Sequence, residues 1–310
     1  MRISRQDFLR LGLSTVAGGF LPLLLRRPLF GKEKAAAQTA APDLVAVRDG
    51  SPAQMFDVGI NAWGGLGRII RKGKTVLVKP NISWDKTPSE GANTNPDLVG
   101  RIVAAAYEAG AGKVYCFDHP VSREEDCYRR SGISDAVKRS GGEMRPGSDP
   151  KAYRLVTIPG AQVLKEALVH ELYLDCDVVL NVPVLKSHGG GRMTAALKNL
   201  MGVVWDRHVW HRTDLQRCIA EFALLRKPDL NVVDAFLVMM NNGPYGATTD
   251  DLDMKRMQLF SADPVLADAA GAKVLGLAPE SIPYLKMAAG LGVGSMELDR
   301  AAIKRISLKV

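Results

Sequence analysis

Lysine, histidine and carboxamide side chains recur in this chain where short apolar runs end, and that placement could support chemistry on a bound ligand. Lys79-Pro80-Asn81 follows Thr75–Val78, and Asp118-His119-Pro120 follows Lys113–Phe117. Asn181 and then Lys186-Ser187-His188-Gly189-Gly190-Gly191-Arg192 follow Val178–Leu180, and Asp234 follows Leu230–Val233. Ligands of open α/β sheets bind beyond the carboxyl ends of strands, where loops converge on a rigid frame. Four strand ends aiming polar groups at one edge mark a candidate site.

The stretch from Lys186 to Asn199 is the richest. Its three glycines let the backbone approach a ligand closely. Thr194 is placed to cap a following helix, whose free N–H groups would face an anion. Lys186, Arg192 and Lys198 add positive charge there. A phosphate or carboxylate group on a small molecule is the expected guest, with Lys79, Asn81, Asp118, Thr194, Asn199 and Asp234 as expected ligand- or cofactor-binding residues. No G-x-x-x-x-G-K-[ST] pattern is present, so this is not a nucleotide P-loop. Lys186 and Lys198 would bind or polarise an oxyanion and His188 would act as acid or base near neutral pH, which makes these three the candidate catalytic set. His188 and His211 are candidate ligands for a divalent metal. His208 lies three residues before His211, but Trp205 and Trp210 around them suit a packed loop equally well. Asp263 and Asp268 read as the cap and flank of a helix, and Asn242–Gly246 as a turn or a ligand-facing loop.

The elements that must hold these residues alternate along the chain. Thr75–Val78 is a buried strand between Gly73 and Pro80; Pro96 opens a helix carrying Leu98, Ile102, Val103 and Tyr107; Lys113–Phe117 is the next strand. Strand, helix and strand at this spacing form a right-handed parallel unit. Further helices are expected over Tyr128–Ser140, Thr194–Val204, Asp214–Arg226 and Pro264–Leu275. Further strands are expected over Asp177–Pro183, Leu230–Val233, Arg256–Phe260 and, as a closing edge, Ile303–Val310. Ala40 to Pro52 reads as an entry segment. The expected fold is α/β, a mostly parallel sheet flanked by helices with room for a smaller inserted lobe, in a single domain over residues 41–310.

Residues 1–40 read as an export signal and cleavage region. Seven basic residues against Asp7 and Glu33 give this segment +5 of the total charge of +8, leaving +3 for the rest and no argument for a nucleic-acid partner. A basic start, the apolar run Leu11–Leu25 interrupted by Pro22, and Ala35-Ala36-Ala37 follow the order of a targeting peptide. Ser4-Arg5-Gln6-Asp7-Phe8-Leu9-Arg10 resembles the twin-arginine signal, with Gln6 where the second arginine stands. The expectation is a periplasmic or extracytoplasmic protein that meets the export machinery and membrane only in passing. Cys116, Cys127, Cys176 and Cys218 have neither zinc nor iron–sulfur spacing, so no iron–sulfur cluster is expected. They read as buried thiols, with a Cys116–Cys127 disulfide as the alternative in an oxidising compartment.

From about Thr75 to about Gly292 the chain also resembles an uncharacterised bacterial and archaeal family, domain of unknown function 362. The stretches that carry the resemblance are Val78–Asn81, Asn93-Thr94-Asn95-Pro96, Asn181–His188, Ala196–Gly202, Val233-Asp234-Ala235, Gly243-Pro244 with Gly246, and Ser261–Asp268. The resemblance implies that Lys79, Asn81, Lys186, His188, Lys198, Asn199, His211, Asp234, Asp263 and Asp268 occupy motif positions. Many relatives carry an added ferredoxin-like domain, whose cysteines this chain lacks, and the family has no settled reaction. Two functions remain open on these residues. One is a catalyst acting on an anionic small molecule, with or without a cofactor, through the Lys/His site. The other is a non-catalytic binding or assembly protein that uses the same site as an anion cradle.

Overall fold

Strands form where β-branched and apolar residues run together between Gly, Pro and Asp breaks. In chain order they are β1 (Leu44–Arg48), β2 (Thr75–Pro80), β3 (Lys113–Cys116), β4 (Glu143–Met144), β5 (Tyr153–Thr157), β6 (Glu166–His170), β7 (Val178–Val182), β8 (Val184–His188), β9 (Arg192–Thr194), β10 (Leu230–Met239), β11 (Leu252–Asp253), β12 (Met257–Ser261) and β13 (Ile303–Ser307). This computed structural model describes residues 41–246 and 248–309. The segment read as an export signal lies outside the described residues.

Eleven strands make one mixed sheet whose main path runs β13-β1-β12-β10-β7-β2-β3-β4. The block β10-β7-β2-β3-β4 is parallel throughout, and β13 is parallel to β1. β12 runs antiparallel to both of its neighbours. Every residue of β7 is buried, as is every residue of β2 after Thr75, the pattern of strands covered on both faces. One face packs on helices Pro52–Trp63, Pro96–Glu108 and Ile133–Arg139 through Phe56, Leu98, Ile102 and Val137. The other packs on helices Leu215–Phe222, Pro264–Val274 and Pro283–Gly290 through Ile219, Phe222, Val265 and Leu285. Each fully buried aliphatic or phenyl side chain contributes roughly 1.5–3 kcal/mol, so this two-sided core fixes the frame from which the loops project.

The fold is the expected α/β arrangement, and several elements differ in detail. β1 and the helix Pro52–Trp63 occupy and follow what reads in sequence as an entry segment. The sequence carries their signal, since Ser51 and Gln54 form a capping box with Pro52 at the first helical position. The helix expected over Tyr128–Ser140 is two helices, Glu124–Arg130 and Ile133–Arg139, because Gly132 turns left-handed between them at φ 73°. β10 continues past Asp234 to Met239, so Asp234 lies within a strand and not at its end. The smaller lobe is the antiparallel pair β5–β6, a sheet of its own. All four cysteines are free and buried, so the Cys116–Cys127 bridge is not formed.

Candidate functional site

The parallel strands deliver a buried ion pair first. Lys79 is the next-to-last residue of β2 and Asp118 lies two residues past β3, and their side chains meet at 2.8 Å with no solvent exposure. Lys79 also donates to the Pro80 carbonyl (2.8 Å) and to Asn199 Oδ1 (3.0 Å). Asp118 accepts from the backbone of Ile82 and His119. Such saturation is what makes a buried pair tolerable. The backbone at Gly202 closes over it so tightly that a Cβ there would sit 1.8 Å from Asp118 Oδ1, so only glycine fits.

A row of carboxamides runs from mid-sheet to this edge. Asn231 donates to the Ser261 carbonyl and accepts from Asn181; Asn181 accepts from Asn199; Asn199 accepts from Asn81. Asn81 in turn presents Oδ1 to the Lys186 ammonium at 2.9 Å, and the Ala92 carbonyl takes a second Lys186 hydrogen at 2.6 Å. Burial, reinforced by Lys198 and only partly opposed by Asp118, pushes the Lys186 ammonium down to about 7.

Above these groups lies a cavity of about 300 Å³, at the small end for ligand pockets. Asn81, Ser83, Trp84, Val121, Lys186, His188, Thr194, Lys198, Asn199, Met201, Gly202, Arg207, His208, His211 and Pro244 line it. No aspartate or glutamate is among them, while two lysines and one arginine are. Lys198 has neither a hydrogen-bond acceptor nor a carboxylate in reach among the described residues. Burial and the nearby charges of Arg207 and Lys79 bring its ammonium down to about 7. Arg207, itself buried, anchors its guanidinium on the carbonyls of His119 and Pro120. Thr194, 4% exposed, pairs with Lys186 across β8 and β9, so the two side chains share a face. Its hydroxyl has no partner among the described residues.

His188 has a different role from the one its sequence context suggests. The Gly191 N–H donates to its Nδ1 at 3.0 Å, which leaves the ring proton on Nε2. Burial and the neighbouring Lys198 and Lys186 charges hold it at about 3, so it is a neutral imidazole at physiological pH. The near-neutral titrations belong to the lysines.

Of the residues expected at the site, Asn81, Lys186, His188, Thr194, Lys198, Asn199 and His211 line the cavity, with Lys79 and Asp118 directly beneath. Asp234 is the exception. Its carboxylate accepts from the backbone of Asn95 and Phe236 and ties β10 to the start of helix Pro96–Glu108. Thr194 does not cap a helix but sits in β9, and the helix expected over Thr194–Val204 is only Ala196–Asn199 followed by a 3-10 turn. Nor does that helix start offer free N–H groups to a ligand. Asp268 reaches across to take those of Ala196 (2.5 Å) and Leu197 (3.2 Å), with the Tyr284 hydroxyl at 3.2 Å. Sequence reading missed Arg207 and Trp84, which belong to no motif; the histidines and tryptophans flanking Arg207 were the available signal.

The divalent-metal reading of His188 and His211 does not fit this donor set. No group of three or more His, Cys, Asp or Glu side chains gathers to hold an ion among the described residues, and the two histidines face lysines. Two imidazoles beside Lys186, Lys198 and Arg207 suit an anion, not a cation.

Known proteins place the chain as follows. The Synechocystis thylakoid-associated protein sll1697 is 28% identical over 249 residues, 74% of this chain and 72% of that protein. The solved lactate racemase apoprotein from Thermoanaerobacterium thermosaccharolyticum aligns with a TM-score of 0.48 at 10% identity, over 74% of this chain and 56% of that one. A protein of solved structure from Thermotoga maritima aligns with a TM-score of 0.39 at 15% identity, over 62% and 52%. This chain therefore spans little more than half the length of those solved structures. The family described as domain of unknown function (DUF362) matches residues 76–273, which includes every candidate site residue named above, and the chain belongs to that family.

Proposed function

We propose that this protein binds a small, multiply oxygenated anion in the Lys186/Lys198/Arg207 cavity and acts on it as an enzyme, with the two lysines moving protons. One observation carries the reading: among the described residues, a small cavity is walled by three basic side chains, one of them without an acceptor, and by no carboxylate. An unpaired positive charge on the half-buried Lys198, beside the buried Lys186 and Arg207, costs stability, and a bound carboxylate or phosphate would supply what is missing. At about 7, Lys186 and Lys198 can each give or take a proton at neutral pH, the condition for efficient general acid–base work. Neutral His188 and the Thr194 hydroxyl would orient the ligand, while Lys79 and Asp118 support the floor. A protein that only held its ligand would need the charge but not near-neutral lysines.

The test is mass spectrometry of whatever the purified protein retains, followed by calorimetric titration with phosphate and with short mono- and dicarboxylates. Binding should be at least about tenfold weaker in Lys198→Ala, the scale of one lost charge-assisted contact. Absence of any binding to the native protein would remove the reading. We propose further that the protein works outside the cytoplasm. The motif Ser4–Arg10 supports this, and the Synechocystis relative is named for its association with thylakoids. Cell fractionation of native protein and a Gln6→Arg variant tests it, since unchanged cytoplasmic retention of both would count against export.

A further inference from the structure

The three lysines of the site differ in what holds them, and the difference singles one out. Lys79 is bound to Asp118, the Pro80 carbonyl and Asn199. Lys186 is bound to Asn81 and the Ala92 carbonyl. Both nitrogens are engaged as donors and point away from nucleophilic use. Lys198 lines the same cavity with no such partner among the described residues. The same cavity is lined by Thr194, nearly fully buried, whose hydroxyl has no partner among the described residues either. A small cavity thus holds one amine and one hydroxyl without partners among the described residues, and two basic side chains held by carbonyl oxygens, Lys186 and Arg207.

We infer that Lys198 is a covalent nucleophile that forms an imine with an anionic aldehyde or ketone, a short oxo-carboxylate seated with its carboxylate toward Lys186 and Arg207. This rests on the anion-binding reading above and names the substrate class. The Nζ lone pair adds to the carbonyl carbon, the carbonyl π electrons move to oxygen, and the proton that Nζ then loses is made up by one taken up on that oxygen. The resulting carbinolamine hydroxyl leaves as water after a second protonation. The net change is amine plus carbonyl plus one proton giving iminium plus one water, with no oxidant or reductant consumed. The iminium nitrogen then withdraws electrons from the adjacent carbons. Neighbouring cations and desolvation are the recognised way to free a lysine for this chemistry. An ordinary lysine holds roughly one neutral amine in about 2,500 at pH 7, whereas one titrating at about 7 holds about one in two.

The full chain is incubated at pH 7 with pyruvate, glyoxylate or 4-oxobutanoate and sodium cyanoborohydride, and the reduced adduct is mapped by peptide mass spectrometry. At least one compound should label Lys198 in preference to every other lysine by about tenfold or more, given that difference in neutral amine. Lys198→Arg, which keeps the charge but not the nucleophile, should lose the label while still binding lactate, the carbonyl-free counterpart of pyruvate. Labelling spread over surface lysines, or retained in a folded Lys198→Arg protein, overturns the inference. No label with any of the three compounds, while lactate still binds, overturns the imine and leaves the anion site standing. If lactate, phosphate and dicarboxylates all fail to bind, both readings fall together.

Discussion

Around Glu221, three successive backbone N–H groups, from Gln162, Val163 and Leu164, and the Arg217 guanidinium close on a fully buried carboxylate at 2.6–3.0 Å. Around Lys198, no acceptor among the described residues closes on the ammonium. Burial alone would raise the Glu221 carboxyl, but Arg217 and the backbone donors hold it at about 2, whereas burial and like charges leave Lys198 depressed with nothing to oppose them. Asp268, filling the two N–H groups of Ala196 and Leu197, belongs with Glu221. The chain closes Glu221 and Asp268 with its own donors and, among the described residues, leaves Lys198 at the cavity without an acceptor. A region that is complete by itself serves the fold; one that is short of a specific chemical partner implies a ligand.

The comparison can be broken most forcefully at the floor of the site. Asp118→Ala should destabilise by about 3–5 kcal/mol in urea unfolding, because it strands the buried Lys79 charge. Gly202→Ala should be of similar severity, since its Cβ would overlap both partners. At the self-sufficient site, Glu221→Gln should cost about 2–3 kcal/mol, from weakened charge-assisted hydrogen bonds, with anion affinity unchanged by calorimetry. Lys198→Met should do the reverse, raising the melting temperature of the unliganded protein while abolishing the stabilisation that an anion provides. A fall in melting temperature there would mean that the ammonium has a partner after all.

The two regions also predict pH responses of the same sign in separate windows. Lys186 and Lys198 have folded values near 7, below the unfolded lysine range near ~10. Between those limits the unfolded chain binds more protons, so stability from these groups rises with pH from 7 towards 10 and is flat below 7. Glu221 also makes stability rise with pH, but in an acid window: its stabilisation is present above the unfolded carboxyl range and lost as pH falls towards 2. Unfolding across pH, with and without saturating phosphate, checks both, and phosphate should flatten only the alkaline limb. The smallest expected effect is at Thr194. Thr194→Val should leave unliganded stability within about 0.5 kcal/mol, because the hydroxyl has no partner to lose, and should weaken anion binding several-fold.

The sequence was most legible where local rules are strong. Thr75–Val78, Val178–Leu180 and the Pro96 helix are short buried runs with unambiguous breaks, and they bring Lys79, Asn81 and Asn181 to one edge as expected. In the Lys186–Asn199 segment the polar residues gather at the cavity, but the helix that the spacing predicts from Thr194 starts only at Ala196. Pairing of Arg192–Thr194 with β8 is a tertiary event that helical spacing cannot reveal. Asp234 and Asp268 show a second limit, since both are carboxylates that hold backbone N–H groups far along the chain at Asn95 and Ala196. Arg207 was invisible for the same reason, its anchors at His119 and Pro120 lying almost ninety positions away.

The carboxamide row from Asn231 to Asn81 has one further consequence, because every member faces the same way. Its two ends fix this sense, Ser261 offering only a carbonyl and Lys186 offering only hydrogens. Four aligned dipoles thus point their negative ends at the lysines and steady them without adding a single formal charge. A carboxylate in any of those places would have cancelled the attraction that the mouth of the site exerts on an incoming anion; the amides shelter the cations and leave that attraction intact.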